Sequence, residues 1–181
     1  MNFIRVFLKI SGLALLMSGA LLLTGCDKPK KESWSGGDLR GVNHTAKGIN
    51  YFVVNHSRGP NIAAYGEGGG ACCISLPDKW RPGLKADVQW ETYDFDLVME
   101  FPGYVDREKY DAWKEKISST NVMHHTTVDI PDYGEKKCGL TVHFLACNQI
   151  KVTASCKRRY GTADYPIKEP REMEEPEVCP E

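Results

Sequence analysis

Cys138-Gly-Leu-Thr-Val-His-Phe-Leu-Ala-Cys147-Asn-Gln-Ile-Lys-Val-Thr-Ala-Ser-Cys156 decides the fold. On either side of Cys147 apolar and polar residues alternate as on half-buried strands, with a short polar turn between them. A hairpin centred on Cys147 pairs residues whose numbers sum to 294, so Cys138 faces Cys156. Facing cysteines on paired strands lie near the ~5.5 Å Cα separation that disulfides favour, and the predicted bridge is Cys138–Cys156. A slip of one residue in the turn destroys that register. His143 alternates with Val142 and Phe144 and reads as solvent-facing.

Outward from the hairpin, strand-like runs occur at Val42–Thr45, Ile49–Asn55, Ala71–Leu76, Ala86–Thr92, Phe95–Phe101 and Val122–Ile130, separated mostly by Gly, Pro, Asn and Asp. Asp106 to Ile117 is the one helical pattern. Asp106 is its N-cap candidate, and Tyr110, Trp113 and Ile117 fall at helical spacing, so the helix packs by one edge on the sheet. Many short strands with a single helix predict a mainly β chain: an antiparallel β-sandwich with one short helix, braced by disulfides.

Seven cysteines are present. Leu23-Thr-Gly-Cys26 closes an apolar run of 14 residues from Ile10, preceded by Arg5 and Lys9, and reads as a lipoprotein signal cut between Gly25 and Cys26. The run is shorter than the ~18 to 20 residues that span a hydrocarbon core, which argues against a transmembrane helix. Acyl chains on Cys26 would anchor the protein, each buried CH₂ contributing ~0.8 kcal/mol. Asp27 resembles the signal that retains lipoproteins in the bacterial inner membrane, but Lys28 is not its strongest neighbour; the chain faces the periplasm from a membrane left open. The other six, Cys72, Cys73, Cys138, Cys147, Cys156 and Cys179, suit an oxidising compartment and allow 15 pairings. Adjacent on a strand, Cys72 and Cys73 point to opposite faces. One of them is placed to reach a second strand or the Cys147 loop, the other to stay a buried thiol or pair with Cys179. A metal site with His124 and His125 fits no standard zinc spacing.

The organisation read from these features is a signal peptide over 1–25, a flexible tether over 26–38, a β-rich domain over 39–167 and an acidic, Pro-rich tail over 168–181. Trp34 falls in the tether, placed to touch the bilayer interface. Cleavage leaves 156 residues with 21 bases against 24 acids, a net charge of −3 with neutral histidines. That balance argues against nucleic acid as a partner.

Catalytic signatures are scarce. Gly66-Glu-Gly-Gly-Gly70 lacks the Lys-Ser/Thr ending of a nucleotide loop and precedes a strand, so it reads as a mobile hairpin or contact loop. No Gly-x-Ser-x-Gly elbow is present, and His44, His56, His124, His125 and His143 show no metal-binding spacing. Asp94-Phe-Asp96 sets two carboxylates on one face of a predicted strand, which reads more simply as a solvated face than as a cation site. The expectation is no catalytic residue, no metal and no cofactor.

Gly41-Val-Asn-His-Thr45, Gly68-Gly-Gly-Ala-Cys-Cys-Ile-Ser-Leu-Pro-Asp-Lys-Trp-Arg-Pro-Gly-Leu84 with Val88-Gln-Trp90, Val142-His-Phe144 and Asp164-Tyr-Pro166 together resemble a family of uncharacterised bacterial lipoproteins, the domain of unknown function 3304. In anchor and size such proteins are similar to the immunity lipoproteins encoded beside lipase effectors of the type VI secretion system. The resemblance implies a membrane-anchored periplasmic immunity protein that binds and neutralises a secreted lipase toxin. The alternative is a periplasmic binding or envelope-assembly lipoprotein without catalytic activity. Arg and Tyr often dominate interface energy, so the contact candidates are Arg58, Asn61, Tyr65 and Glu67 in the Asn55–Gly70 loop, and Arg158, Arg159 and Tyr160 in the turn after the hairpin.

Overall fold

The computed structural model describes residues 31–157 and 159–180 of the 181-residue chain. The signal segment, Cys26 and Arg158 lie outside the described residues. The strands are β1 (Trp34–Asn43), β2 (Gly48–Val54), β3 (Ser57–Gly59), β4 (Glu67–Pro77), β5 (Lys85–Tyr93), β6 (Val122–Asp129), β7 (Leu140–Phe144) and β8 (Ile150–Thr153), with the helix α1 (Arg107–Ser118) between β5 and β6. They form two four-stranded sheets, ordered β4-β1-β7-β8 and β3-β2-β5-β6.

The β7–β8 hairpin has the register read from its alternation: Thr141 pairs with Thr153 and Phe144 with Ile150. Cys138 and Cys156 are bonded, with Cα atoms 4.8 Å apart. Cys147 and Asn148 close the turn in the left-handed region, at φ 58° and 55°. The inward residues of both sheets share one core. Leu39, Ile74, Leu76, Val142 and Val152 come from the first sheet; Ile49, Phe52, Val54, Val88 and Trp90 come from the second. Phe144 joins them, its ring 5.2 Å from Phe52 and 5.9 Å from Trp90. Each such side chain contributes about 1.5–3 kcal/mol when fully buried. Gly41 lets β1 lie against this core, because a Cβ there would strike Ile62, Phe144 and Phe52.

Several expectations are corrected. Within the expected antiparallel sandwich β1 and β7 run parallel, Leu39 against Leu140 through Asn43 against Phe144, because the chain crosses to the second sheet and back between them instead of turning directly. The first strand starts at Trp34 rather than near Leu39, with Trp34 opposite Pro77, so residues 34–38 belong to the sandwich and not to a tether. Glu67–Gly70 is the start of β4, held by β1 through Val42 opposite Glu67 and Gly41 opposite Gly68, and not a free loop. Phe95–Phe101 is a 3₁₀ turn over Asp96–Glu100. Asp94 Oδ1 accepts the backbone N–H of Asp96 at 3.1 Å, so these carboxylates organise a turn instead of lining one strand face. Cys72 and Cys73 are bonded to each other on the exposed edge strand β4, while Cys147 and Cys179 pair across a Cα distance of 5.4 Å. That second bond pins the tail to the hairpin tip and leaves neither partner for β4.

Cys138–Cys156 closes a loop with a sequence separation of 18. Replacing both cysteines by serine is expected to lower unfolding stability by about 3 kcal/mol through the freed unfolded chain. A lower urea midpoint, with a steeper slope from the more expanded unfolded chain, would register it.

Candidate functional site

Asn43, His44 and Thr45 turn the chain from β1 toward β2, and all three are buried. The Asn43 amide donates to the carbonyls of Lys47 (2.6 Å) and Ala63 (3.0 Å). Its Oδ1 accepts from the Thr45 N–H (3.0 Å) and hydroxyl (2.9 Å). Every hydrogen-bonding position of the amide is thus used inside the protein, as a buried amide requires. This corner ties the two sheets together.

His44 then meets His143, which is fully buried rather than solvent-facing. β7 lies between β1 and β8, and residues 160–173 close over its outer side, so the alternation of Val142, His143 and Phe144 buries all three. The proton positions follow from the partners. His44 Nδ1 faces the Pro170 carbonyl at 2.6 Å and donates to it. His44 Nε2 therefore accepts, and the donor is His143 Nδ1 at 2.9 Å. His143 Nε2 in turn accepts from the Tyr165 hydroxyl at 2.8 Å. Burial pushes the His143 pKa down to about 3, assisted by His44, and lowers that of His44 as well. Burial also raises the Tyr165 hydroxyl to about 12. The result is a neutral chain of hydrogen bonds pointing one way, from Tyr165 to the tail carbonyl.

The tail straps this chain in place. Met173 N–H donates to the His44 carbonyl at 2.8 Å. Arg171 bonds Glu67, lies over the Tyr160 ring at 5.1 Å and reaches the Tyr65 carbonyl at 3.4 Å. Tyr160 donates to the Glu169 carbonyl, and Lys151 pairs with Glu169. Three contact candidates, Tyr65, Glu67 and Tyr160, thus converge, but on the protein's own Arg171. Arg58 stands apart, over Tyr51 at 4.2 Å on the second sheet, and Asn61 is exposed. Arg159 is exposed, its carbonyl accepting the Thr162 hydroxyl at 2.9 Å. His124 stacks on Trp90 and bonds Thr92, and His125 pairs with Asp87, so β6 holds both away from Cys72 and Cys73 on β4.

The exposed chemistry lies elsewhere, in the excursion between β5 and β6. Asp106 caps α1 by accepting the Lys109 N–H at 3.1 Å, as its position predicts. Trp113 donates to the Leu97 carbonyl at 2.8 Å, which fastens the helix to the 3₁₀ turn. The Phe101 ring touches Tyr104 at 4.8 Å and Trp113 at 5.1 Å. Beyond this supported base, Met99, Tyr104 and Val105 are 83%, 78% and 102% exposed. Beside it Tyr93, Val98, Tyr110, Trp113 and Ile117 line a cleft of about 320 Å³ rimmed by Lys114 and Asn121. The site residues named from sequence omit this surface. Its signal is Phe101-Pro-Gly-Tyr-Val105, where Pro-Gly forces a turn and leaves the apolar neighbours no strand face to bury on.

Two tests follow from the neutral histidines. Between the ordinary value near 6.5 and the folded value near 3, the unfolded chain binds protons that folded His143 refuses. The His143 contribution to stability is therefore fully present above about pH 6.5 and is lost as pH falls toward about 3, by about 1.4 kcal/mol per pH unit, with the lowered His44 acting in the same direction. Denaturant titrations at pH 7 and pH 5 should differ in that direction, and His143→Phe should flatten the difference. Tyr165→Phe leaves His143 Nε2 without its donor and is expected to cost about 1–3 kcal/mol at neutral pH.

No curated protein and no solved structure gives a significant match to this sequence. A family model does, the one described as protein of unknown function (DUF3304), over residues 42–152. The matched span runs from the Asn43–Thr45 corner through both sheets to the end of the hairpin, with Tyr165 and the strap beyond it. Since it covers more than half of the chain, the protein belongs to this family.

Proposed function

We propose that this protein is a lipoprotein, anchored through Cys26 at the periplasmic face of the bacterial envelope, that binds and neutralises a phospholipase effector of a type VI secretion system. The observation that carries a binding role is the exposed cluster of Met99, Phe101, Tyr104 and Val105 on a braced sandwich. Contiguous exposed apolar surface on a small body marks an interaction site, and here a tryptophan and a capped helix hold it from beneath. The disulfides suit an oxidising space. A lipid anchor would concentrate an inhibitor on the membrane its target attacks. The choice of a lipase as the target rests on the sequence resemblance.

A second reading, a periplasmic binding or envelope-assembly lipoprotein, is favoured by the cleft of about 320 Å³ beside the cluster, which is of small-ligand size. Co-expression with a phospholipase encoded beside the gene, directed to the periplasm, separates the two. Under the immunity reading the wild type restores growth and a form without the signal segment does not. Absence of protection by the wild type favours the second reading.

A further inference from the structure

We propose that the Cys72–Cys73 bond on β4 is a thiol–disulfide exchange site that accepts two electrons from a dithiol on another protein; this goes beyond the binding role above and does not depend on it. The sequence separations of the three bonds divide them by purpose: 18 for Cys138–Cys156, 32 for Cys147–Cys179 and 1 for Cys72–Cys73. A disulfide stabilises a fold chiefly by closing a loop in the unfolded chain, and the effect grows with the loop. The first two bonds join the ends of the hairpin and fasten the tail to its tip. Cys72–Cys73 joins β4 to nothing but itself. Stabilisation is reciprocal: a bond that holds the fold together is held by the fold against reduction, and a bond that does not is left to its own chemistry.

Placement opens the pair to a second molecule. β4 is an edge strand, hydrogen-bonded to β1 alone in its sheet. Gly37 pairs with Ile74 and Leu39 with Ala71, so a single residue of β1, Asp38, stands opposite both cysteines. This is a bulge, which breaks the alternation that would send neighbouring side chains to opposite faces. The Ser57 hydroxyl, from β3 of the other sheet, donates to the Cys73 carbonyl at 3.1 Å and steadies the bulge. Cys72 and Cys73 are both exposed, whereas Cys138 and Cys147 are half-buried. Charge shields the Cys147–Cys179 bond further. Glu175 accepts the Cys147 N–H at 2.7 Å, and Glu174 and Glu177 flank it in sequence, so an incoming thiolate meets carboxylates there.

A thiolate of the partner attacks one of the two sulfurs of Cys72–Cys73. A mixed disulfide forms, the bond between the two cysteines breaks, and the other sulfur leaves as a thiolate that takes up a proton. The partner's second thiol then loses its proton and attacks the partner sulfur of the mixed disulfide, which releases the second cysteine as a thiol and leaves the partner oxidised. Two electrons and two protons pass from the dithiol to the protein. Neither brace changes.

The test uses the full-length protein in detergent, with dithiothreitol as a small dithiol and reduced thioredoxin as a protein dithiol, and identifies alkylated cysteines by peptide mass after quenching. Under native conditions Cys72–Cys73 should open alone. At a fixed ratio of reduced to oxidised dithiothreitol, its own ratio of reduced to oxidised form should exceed that of either brace on the order of 100-fold. That ratio should rise tenfold for each tenfold rise in the dithiothreitol ratio, as a two-electron exchange requires. Reduced thioredoxin should produce the same two thiols. Cys72→Ser with Cys73→Ser should remove them and leave thermal unfolding unchanged. Opening of all three bonds together, a C72S/C73S variant as unstable as one lacking Cys138 and Cys156, or thiols at Cys72 and Cys73 that persist under excess oxidised dithiothreitol overturns the proposal. Reduction by dithiothreitol but not by thioredoxin also overturns it, since the site would then admit only small thiols.

Discussion

Two imidazoles buried beside each other, both pushed toward the neutral form by burial, govern how the rest of this protein is arranged. His44 directly follows β1 and His143 sits on its parallel neighbour β7, and each ring nitrogen needs a partner of the right kind. One end of the chain must accept and the other must donate. The acceptor is the Pro170 carbonyl and the donor is the Tyr165 hydroxyl, both supplied by the segment after the sandwich is complete. The C-terminal residues are therefore part of the domain's interior chemistry although they form no strand. Arg171, the Cys147–Cys179 bond and the Met173 N–H hold that segment where the imidazoles need it.

That dependence explains which parts were legible in the sequence. The hairpin register and the Cys138–Cys156 bridge could be read because both are local: the alternation fixes which residues face each other, and the turn fixes the offset. The helix and its cap were legible for the same reason. His143 was not, since its side of the sheet is covered by residues about twenty positions later that carry no strand pattern. The parallel β1–β7 pair joins segments about a hundred residues apart, and no local pattern records such a pairing. Phe95–Phe101 is rich in apolar residues, as a strand is, but Asp94 captures the backbone at Asp96 and turns the chain.

The contact candidates show a similar division. Tyr65, Glu67 and Tyr160 have the residue types that dominate interfaces, and they do form one, with Arg171 of the same chain. Composition identified groups able to bind; only the path of the tail decides that they are occupied. The Phe101–Val105 segment was missed for the opposite reason. Its apolar residues resemble core when counted along the sequence, yet the 3₁₀ turn and the helix cap direct them outward.

Rigidity and exposure are thus sorted to different regions of the fold. The family-matched corner at Asn43–Thr45 has every polar group satisfied internally, so changing it alters stability before it alters any contact with another molecule. The excursion between β5 and β6 bears almost none of that burden. It is attached through its two strand ends, the Trp113–Leu97 bond and the lining of one cleft, and its outermost side chains touch little of the protein. Substitutions at Met99, Tyr104 or Val105 therefore cost the sandwich almost nothing. Sequence can vary there freely, because the buried histidine chain, and not the excursion, keeps the sandwich and its strap together.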